Sequence, residues 1–205
     1  MIDKRVVSAA EAVSVIEDGA VVLISGFGSA GSPVDLVHAL IDQGTRDLTV
    51  VNNNTGNGQV GLAALIANRQ VRKMICSYPR STFSKVFPEL YRAGKIELEL
   101  VPQGTLAERC ASGGKGIPAF YTPAAFGTVV QTGELPLQNN PDGTPKVYSY
   151  PKDVKVFDGK QYLLEESIKG DYAFVKAWKA DKLGNCQFRL TANNFNGAMG
   201  RNAKM

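Results

Sequence analysis

The groups in this sequence whose types and spacing could do chemistry are glycines and side-chain amides. Glycines at 26, 28 and 31 lie in the segment GFGSAG, directly after an apolar run. Asn53 and Asn54 follow a second apolar run at 48–51, and Gln103, in VPQG, follows the predicted strand at 96–101. Glycine lets a backbone turn sharply and approach a ligand, and oriented N–H groups stabilise an anion or a developing oxyanion. The pattern therefore favours binding of an anionic group or an oxyanion.

Histidine- and cysteine-based chemistry has little support. His38 is the single histidine, in the helical pattern VDLVHALI, where we expect a packed or surface side chain. A site with several histidines is impossible, and a lone histidine without a partner has no means of activation. Cys76, Cys110 and Cys186 are far apart and outside any CxxC pattern, so we expect buried or inert thiols and no metal site.

The glycine segment formally matches GxGxxG, the dinucleotide-binding pattern. That pattern requires an acidic residue near the end of the second strand, but residues 48–51 run into Asn52, Asn53 and Asn54 instead. We therefore reject a nicotinamide dinucleotide. Two interpretations stay open: the loop faces an anionic ligand, or its glycines only make a tight strand-to-helix turn.

The elements that must position these residues alternate along the chain. Short apolar runs predict strands at 20–24, 48–51, 72–76 and 96–101, and helical spacing predicts helices at 8–17, 34–42, 61–68 and 82–93. Ser8 and Glu11 form a capping pattern, while Pro33 and Gly44 mark the bounds of the second helix. Alternating strands and helices predict an α/β fold with an open, mostly parallel sheet flanked by helices.

Residues 133–158 differ in character, with four prolines and with turn signals in place of helical periodicity. We interpret this segment as an irregular excursion from one domain over 1–205. Residues 171–178 predict a return strand to the core, and residues 186–190 after the Asp181–Asn185 turn are expected to pair with it as a hairpin.

Composition excludes several classes of protein. Apolar residues make up 44% of the 205, charged residues 20%, and the net charge is +4. Lysine and arginine are interleaved with acids, so there is no stripe for nucleic acid, and mild basicity suits an anionic small molecule. No window holds the roughly 18 apolar residues of a membrane span. We expect a cytoplasmic protein with no membrane contact.

Six segments together resemble the class I CoA-transferases, and specifically the A (alpha) subunits of 3-oxoacid CoA-transferases. They are SGFGSAGSP at 25–33, NNTG at 53–56, VRKMICSYPR at 71–80, LYRAGKIELELVPQGTLAER at 90–109, GIPAFYTP at 116–123, and LLEESIKGDYAFVKAWKADKLGN at 163–185 with ANNFN at 192–196. The resemblance covers nearly the whole chain and implies the CoA-transferase fold.

The resemblance also implies a mechanism. Family enzymes use a glutamate in a Ser-Glu-Asn-Gly motif as nucleophile, forming an acyl anhydride and then a glutamyl-CoA thioester. That motif is absent here, so the glutamate is expected on a partner B (beta) subunit, and CoA thioesters enter as substrates with no permanently bound cofactor. By resemblance, Gln103 supports the oxyanion, and Asn53 and Asn54 line the substrate cleft. The CoA-facing loop comprises Ser25, Gly26, Phe27, Gly28, Ser29, Ala30 and Gly31.

The sequence departs from the family pattern in places. Ser25 stands where glycine is usual, so its side chain is expected to narrow the approach of the thioester, and Asn193 replaces an arginine. Ala124 and Ala125 replace Thr-Gly, and the chain stops before the further strand and tail of family members, which predicts an exposed edge. The acceptor stays open between acetoacetate and 3-oxoadipate. The alternatives are a non-catalytic acyl-CoA-binding homologue and an enzyme like the sugar-phosphate isomerases.

Overall fold

The computed structural model describes residues 2–80 and 83–204, and its centre is a five-stranded parallel sheet. The strands are β1 Val21–Ile24, β2 Leu48–Val51, β3 Val71–Cys76, β4 Glu97–Leu100, β5 Ala119–Thr122, β6 Pro136–Asn139, β7 Pro145–Tyr148, β8 Val154–Phe157, β9 Lys160–Glu166, β10 Tyr172–Phe174, β11 Lys179–Ala180 and β12 Cys186–Gln187. The helices are α1 Ala9–Val13, α2 Val34–Gln43, α3 Leu62–Ala67, α4 Val86–Arg92, α5 Gln103–Gly114, α6 Val129–Thr132 and α7 Asn196–Met199, with a 3₁₀ turn at Leu190–Asn193. The predicted α/β architecture is confirmed.

The strand order in the central sheet is β10-β1-β2-β3-β4, with every pair parallel. Strand β1 shows why the sheet has two covered faces. Val22 and Ile24 point into a cluster with α1 to α4, whereas Leu23 points into a second cluster with α5 and α7. Successive side chains of a strand face opposite sides, so a run that is apolar throughout forms a strand buried on both faces.

Local sequence signals set the bounds of the first helices. The Ser8 side chain accepts a hydrogen bond from the Glu11 amide at 3.1 Å, and Glu11 Oε2 accepts one from the Val7 amide at 2.9 Å. The helix is shorter than predicted and ends at Val13. Helix α2 begins directly after Pro33 and ends at Gln43, where Gly44 caps it with a left-handed φ of +82°, as the positions of Pro33 and Gly44 predicted.

Residues 133–158, which we expected to be irregular, contain three strands. Strands β6 and β7 form an antiparallel hairpin around the Asp142-Gly143 turn, and β8 pairs with β9 in the small antiparallel sheet β5-β9-β8. Their prolines stand at positions such as Pro136 and Pro145, at the first residue of a strand, where a missing N–H is tolerated. Proline content therefore concealed strands in this segment.

The return strand is shorter than the predicted 171–178. It pairs parallel with β1 but ends at Phe174, because the Lys176 amide donates instead to the Asn196 side chain at 2.8 Å. A hairpin does form around the predicted turn, but β12 pairs with the separate strand β11 and not with the core strand. The predicted pairing is therefore correct for the end of the predicted strand, where the Trp178 amide donates to the Gln187 carbonyl at 2.8 Å, and wrong for its core part at residues 172–174.

Two further helices differ from expectation. Helix α4 begins at Val86, and Thr82, the predicted start, lies outside the described residues. Helix α5 was not predicted, because Gly104, Gly113 and Gly114 are unfavourable in helices. Packing explains two of them: a Cβ at Gly113 or Gly114 would collide with backbone at Ile168 or Arg201.

Candidate active site

Parallel pairing brings the carboxyl ends of the central strands to one edge of the sheet. Ser25 follows β1, Asn52 to Asn54 follow β2, Ser77 follows β3 and Gln103 follows β4. Open α/β sheets bind ligands at this edge. The structure thus places the predicted glycine loop, the asparagines and Gln103 along the same edge.

Gln103 and Asn53 are in direct contact there. Gln103 Nε2 donates to Asn53 Oδ1 at 2.9 Å, while the Asn53 backbone oxygen accepts from the amides of Ser77 and Tyr78. Asn53 is buried, and Gln103, the first residue of α5, is exposed. A side-chain amide carries two N–H donors, so one remains available to an oxyanion while Asn53 holds the other.

Asn54 and its neighbour Asn52 act mainly on the backbone. Asn54 Oδ1 accepts from the Gly56 amide at 2.8 Å, an Asx turn that shapes the strand exit. Sequence analysis did not identify Asn52 as a site residue, although both its side-chain nitrogen and its side-chain oxygen form hydrogen bonds. Its Nδ2 donates to the Ile24 carbonyl at 2.6 Å and its Oδ1 accepts from the Asn54 amide at 2.8 Å. Asn52 therefore links the ends of β1 and β2 and supports the predicted pair Asn53-Asn54.

The glycine loop forms a closed turn with an exposed aromatic tip. The Phe27 amide donates to the Ala30 carbonyl at 3.0 Å, and the Ala30 amide donates back to the Phe27 carbonyl at 3.2 Å. Gly26, Gly28 and Gly31 all have positive φ, of +122°, +60° and +68°. Phe27 is 51% exposed, so the turn presents its tip to solvent. This is a backbone that only glycine adopts readily.

Ser25 does not narrow the ligand approach, contrary to our expectation. Its side chain is fully buried, and its hydroxyl donates to Asn196 Oδ1 at 2.6 Å. Its amide donates to the Phe174 carbonyl at 3.0 Å. Ser25 thus supports the loop from beneath. Of the other departures from the family pattern, Asn193 is exposed, and Ala125 has a positive φ of +66° in the turn after β5.

A second polar cluster lines a cleft of about 430 Å³ between the central sheet and the small sheet. Glu99 pairs with Lys73 at 2.5 Å and with Arg109 at 2.7 Å. Glu165, only 1% exposed, lies 2.7 Å from Lys152 Nζ. Burial opposes ionisation of Glu99, but Arg109 and Lys73 outweigh it and hold its pKa below the usual range. Sequence analysis missed this cluster because its members are up to 92 residues apart, as Lys73 and Glu165 are.

Two carboxylates next to that cluster in sequence, Glu108 and Glu166, have the positions expected of surface groups. Glu108 is exposed on α5, and Glu166 is exposed at the end of β9. His38 accepts a hydrogen bond from the Gly61 amide at 3.0 Å, a packing role that matches the prediction.

Burial raises the pKa of Cys76 and of Cys110 to about 12.

The structure also bears on the predictions made for the cysteines, for metal ligands and for membrane spans. Cys186, unlike the other two cysteines, is exposed on β12. Within residues 2–80 and 83–204, no three His, Cys, Asp or Glu side chains converge as metal ligands do. In the same part of the chain, no helix has the length and apolar content needed to cross a membrane.

Comparison with known proteins gives matches along nearly the whole chain. The family model described as coenzyme A transferase matches residues 6–205. The A subunit of 3-oxoadipate CoA-transferase from Pseudomonas putida is 46% identical over 204 residues, which is 100% of this chain and 80% of that protein. The mitochondrial succinyl-CoA:3-ketoacid coenzyme A transferase 2A of Rattus norvegicus is 47% identical over 186 residues, covering 91% of this chain. The chain spans only 35% of the rat protein's length.

Solved structures agree on the fold. An acyl-CoA transferase from Escherichia coli O157:H7, solved as a thioester complex with CoA, superposes with a TM-score of 0.77 at 25% identity, over 98% of this chain and 40% of that one. Glutaconate coenzyme A-transferase from Acidaminococcus fermentans also gives 0.77, at 18% identity over 97% of this chain and 64% of that one. The fold predicted by resemblance is confirmed.

Proposed function

The chain belongs to the coenzyme A transferase family, and from this we propose that it is the A subunit of a 3-oxoacid CoA-transferase. In this proposal the enzyme moves CoA from succinyl-CoA to a 3-oxo acid, either acetoacetate or 3-oxoadipate. The observation that carries it is 46% identity along the whole chain to the A subunit of such an enzyme, combined with an exposed amide at the carboxyl edge of the sheet. That relative is named as one subunit of its enzyme, which supports a requirement for a partner.

The nucleophile in this proposal is a glutamate of the partner B subunit, since Ser-Glu-Asn-Gly does not occur in these 205 residues. Its carboxylate attacks the succinyl-CoA carbonyl, and the C–S bond breaks to give an acyl anhydride and a CoA thiolate. The thiolate attacks the glutamyl carbonyl, which releases succinate and leaves a glutamyl-CoA thioester. The 3-oxo acid carboxylate then attacks the glutamyl-CoA thioester, which gives a second anhydride and a CoA thiolate. The thiolate attacks the 3-oxoacyl carbonyl of this anhydride, which forms the 3-oxoacyl-CoA and frees the glutamate. The cycle is ping-pong and uses no permanently bound cofactor.

Gln103 contributes electrostatic stabilisation in this scheme. Each attack on a carbonyl gathers negative charge on its oxygen, and a positioned N–H lowers the energy of that state. Asn53 fixes the Gln103 amide through their hydrogen bond, so the second N–H has a defined direction. Asn53 and Asn54, at the exit of β2, line the same cleft in this proposal.

The loop from Ser25 to Gly31 faces the CoA thioester in the proposal. The buried Ser25 acts as its support, while Gly26, Phe27, Gly28, Ser29, Ala30 and Gly31 provide the backbone that approaches the ligand. The closed Phe27–Ala30 turn and its positive-φ glycines support this assignment. The cytoplasmic location predicted from the sequence stays a prediction.

The deciding experiment measures CoA transfer from succinyl-CoA with the purified chain alone and with a co-expressed B subunit. Acetoacetate and 3-oxoadipate are offered separately as acceptors. We expect transfer only with both polypeptides, and the faster acceptor identifies the substrate. Transfer by this chain alone contradicts the assignment of the nucleophile to the partner. Acyl-CoA binding without transfer by the complex favours a non-catalytic homologue.

A further inference from the structure

A buried hydrogen-bond cluster joins the glycine loop to the segment at residues 190–199. Ser25 and Asn196 have no exposed surface, and the Ser25 hydroxyl donates to Asn196 Oδ1 at 2.6 Å. The two residues are 171 positions apart in sequence. A buried polar pair of this kind is stable only when its donors and acceptors are satisfied.

The Asn196 amide meets that condition with several backbone partners. Its Nδ2 donates to the Ala192 carbonyl at 2.7 Å and, more weakly, to the Gly31 carbonyl at 3.3 Å. Its Oδ1 also accepts from the Lys176 amide at 2.8 Å. One side chain therefore holds the start of the glycine loop, its end, and the chain leaving β10.

A neighbouring side chain adds a second tie to the loop. Asn194 Nδ2 donates to the Ala30 carbonyl at 3.0 Å, and Gly31 packs so closely that a Cβ there would lie 2.7 Å from Ala192 O. The loop is therefore held from below by residues 192–196 and closed across its top by the Phe27–Ala30 bonds.

We propose that Ser25 and Asn196 are positioning residues that hold the glycine loop in the conformation that receives the CoA thioester. This inference rests on the proposed function. The two side chains are buried beneath the loop and act through its backbone. Without them the loop must be ordered when the thioester binds, and that ordering weakens binding. The effect is expected in KM for succinyl-CoA, with kcat at saturation much less affected.

The principal variant is Ser25→Ala, and its matched control is Ser112→Ala. Ser112 is also a buried serine, whose hydroxyl donates to the Glu108 carbonyl at 2.6 Å, but it lies nine residues along α5 from Gln103. Asn196→Ala and the double variant complete a thermodynamic cycle. If Asn196→Ala fails to fold, the comparison of Ser25→Ala with Ser112→Ala still decides the question.

Two readouts separate this inference from the proposed function. Hydrogen exchange of the Phe27 and Ala30 amides, measured on the chain alone, needs no CoA. Loss of one hydrogen bond is expected to speed it by roughly 5- to 10-fold in Ser25→Ala relative to Ser112→Ala. In the complex with the B subunit, Ser25→Ala raises KM for succinyl-CoA by a similar factor. The free-energy change obtained from KM of the double variant is smaller than the sum of the changes for the two single variants.

Each contrary result has a distinct meaning. Equal exchange in Ser25→Ala and Ser112→Ala shows that the pair does not hold the loop. Faster exchange with an unchanged KM shows that the loop conformation does not matter for the thioester, and the positioning role is lost. If the wild-type complex transfers no CoA, the proposed function fails and the positioning role with it, while exchange still shows whether the pair holds the loop.

Discussion

Gln103 and Asn53 bridge two strands that are not neighbours: Gln103 follows β4, Asn53 follows β2, and β3 lies between them. Adjacent strands are about 4.8 Å apart, so the 2.9 Å bond crosses the end of β3. The Asn53 carbonyl also accepts from the amides of Ser77 and Tyr78 after β3. The exits of three strands are thereby tied together, and the Gln103 amide is held in a fixed orientation.

Replacing Gln103 by alanine should lower catalysis without unfolding the chain. Gln103 is exposed, so its loss leaves the core intact, but it removes the donor proposed for the oxyanion. Loss of one such donor reduces kcat by roughly 10²–10³-fold. The measurement is kcat of CoA transfer by the complex with the B subunit. Glu108→Ala, an exposed side chain on the same helix, serves as control, and equal kcat for the two variants excludes the oxyanion role.

Replacing Asn52 by alanine should destabilise the fold. The change removes the donor to the Ile24 carbonyl and the acceptor of the Asn54 amide, both in a buried setting. Such losses cost about 1–3 kcal/mol each. Urea unfolding of the chain alone measures the effect against Asn68→Ala, an exposed asparagine at the end of α3. A similar midpoint for both variants means that Asn52 is not a structural link.

Stability should fall in acid partly through Glu99. Its pKa is lowered in the folded chain, so its contribution is complete above the unfolded value of about 4.3 and is lost as pH falls through the folded value. We expect Glu99→Gln to be less stable at pH 7, because Arg109 and Lys73 lose their partner, and to lose less stability than wild type between about pH 5 and about pH 3.

Urea midpoints across that pH range test this, with Glu97→Gln as control. Glu97 lies on the same strand in a longer pair with Arg72, at 3.5 Å with both side chains more exposed. The control should retain the acid dependence of wild type. Parallel pH curves for wild type and Glu99→Gln contradict the prediction.

The ion pair between Lys152 and Glu165 should stabilise the attachment of the small sheet. The Glu165 carboxylate is buried, and within the described residues neither oxygen has a well-aligned hydrogen-bond donor, so the 2.7 Å contact with Lys152 Nζ is an ion pair by distance. Arg109 Nε is farther away, at 4.0 Å. Removal of the ammonium in Lys152→Met leaves a buried charge and is expected to cost about 3 kcal/mol.

Restoring neutrality should recover most of that loss. We expect the double variant Lys152→Met, Glu165→Gln to unfold at a higher urea concentration than Lys152→Met alone. Lys146→Met, on the exposed strand β7, controls for loss of a surface lysine. A double variant no more stable than Lys152→Met would show that the carboxylate charge is not what Lys152 compensates.

Sequence patterns were sufficient to locate the strands of the central sheet, because the residues that identify each strand lie within or next to it. A continuous apolar run such as Val21–Ile24 predicts a strand that is buried on both faces. Pro33 and Gly44 predict the bounds of a helix, because each has a backbone preference that suits one end of it. The placement of Asn53 and Gln103 at one edge followed from parallel pairing. Their direct hydrogen bond did not, because 50 residues separate them.

Features that depend on distant pairing were missed for the same reason. The sequence marked Ser25 as unusual, but nothing near it indicates that its hydroxyl meets Asn196. Strands β6 and β7 contain prolines, which locally disfavour strands, and they form because they pair with each other. Helix α5 contains glycines that packing against residues 168 and 201 requires.

The glycine loop offers a final prediction, because Gly28 and Gly31 have the same backbone handedness but different surroundings. Both have left-handed φ values, +60° and +68°, so alanine at either position costs about 1–2 kcal/mol of backbone strain. At Gly28 a Cβ would have its nearest contact at 3.7 Å, whereas at Gly31 it would lie 2.7 Å from Ala192 O and from Asn196 Nδ2.

Gly31→Ala should therefore be clearly worse than Gly28→Ala. The added methyl must displace backbone and the buried Asn196 amide, which costs about 1–3 kcal/mol beyond the shared strain. Urea unfolding of the two variants measures this difference directly, since the shared strain cancels. We also expect Gly31→Ala to raise KM for succinyl-CoA in the complex more than Gly28→Ala, because it separates the loop from residues 192–196. Equal unfolding free energies for the two variants would mean that the loop does not rest on that segment.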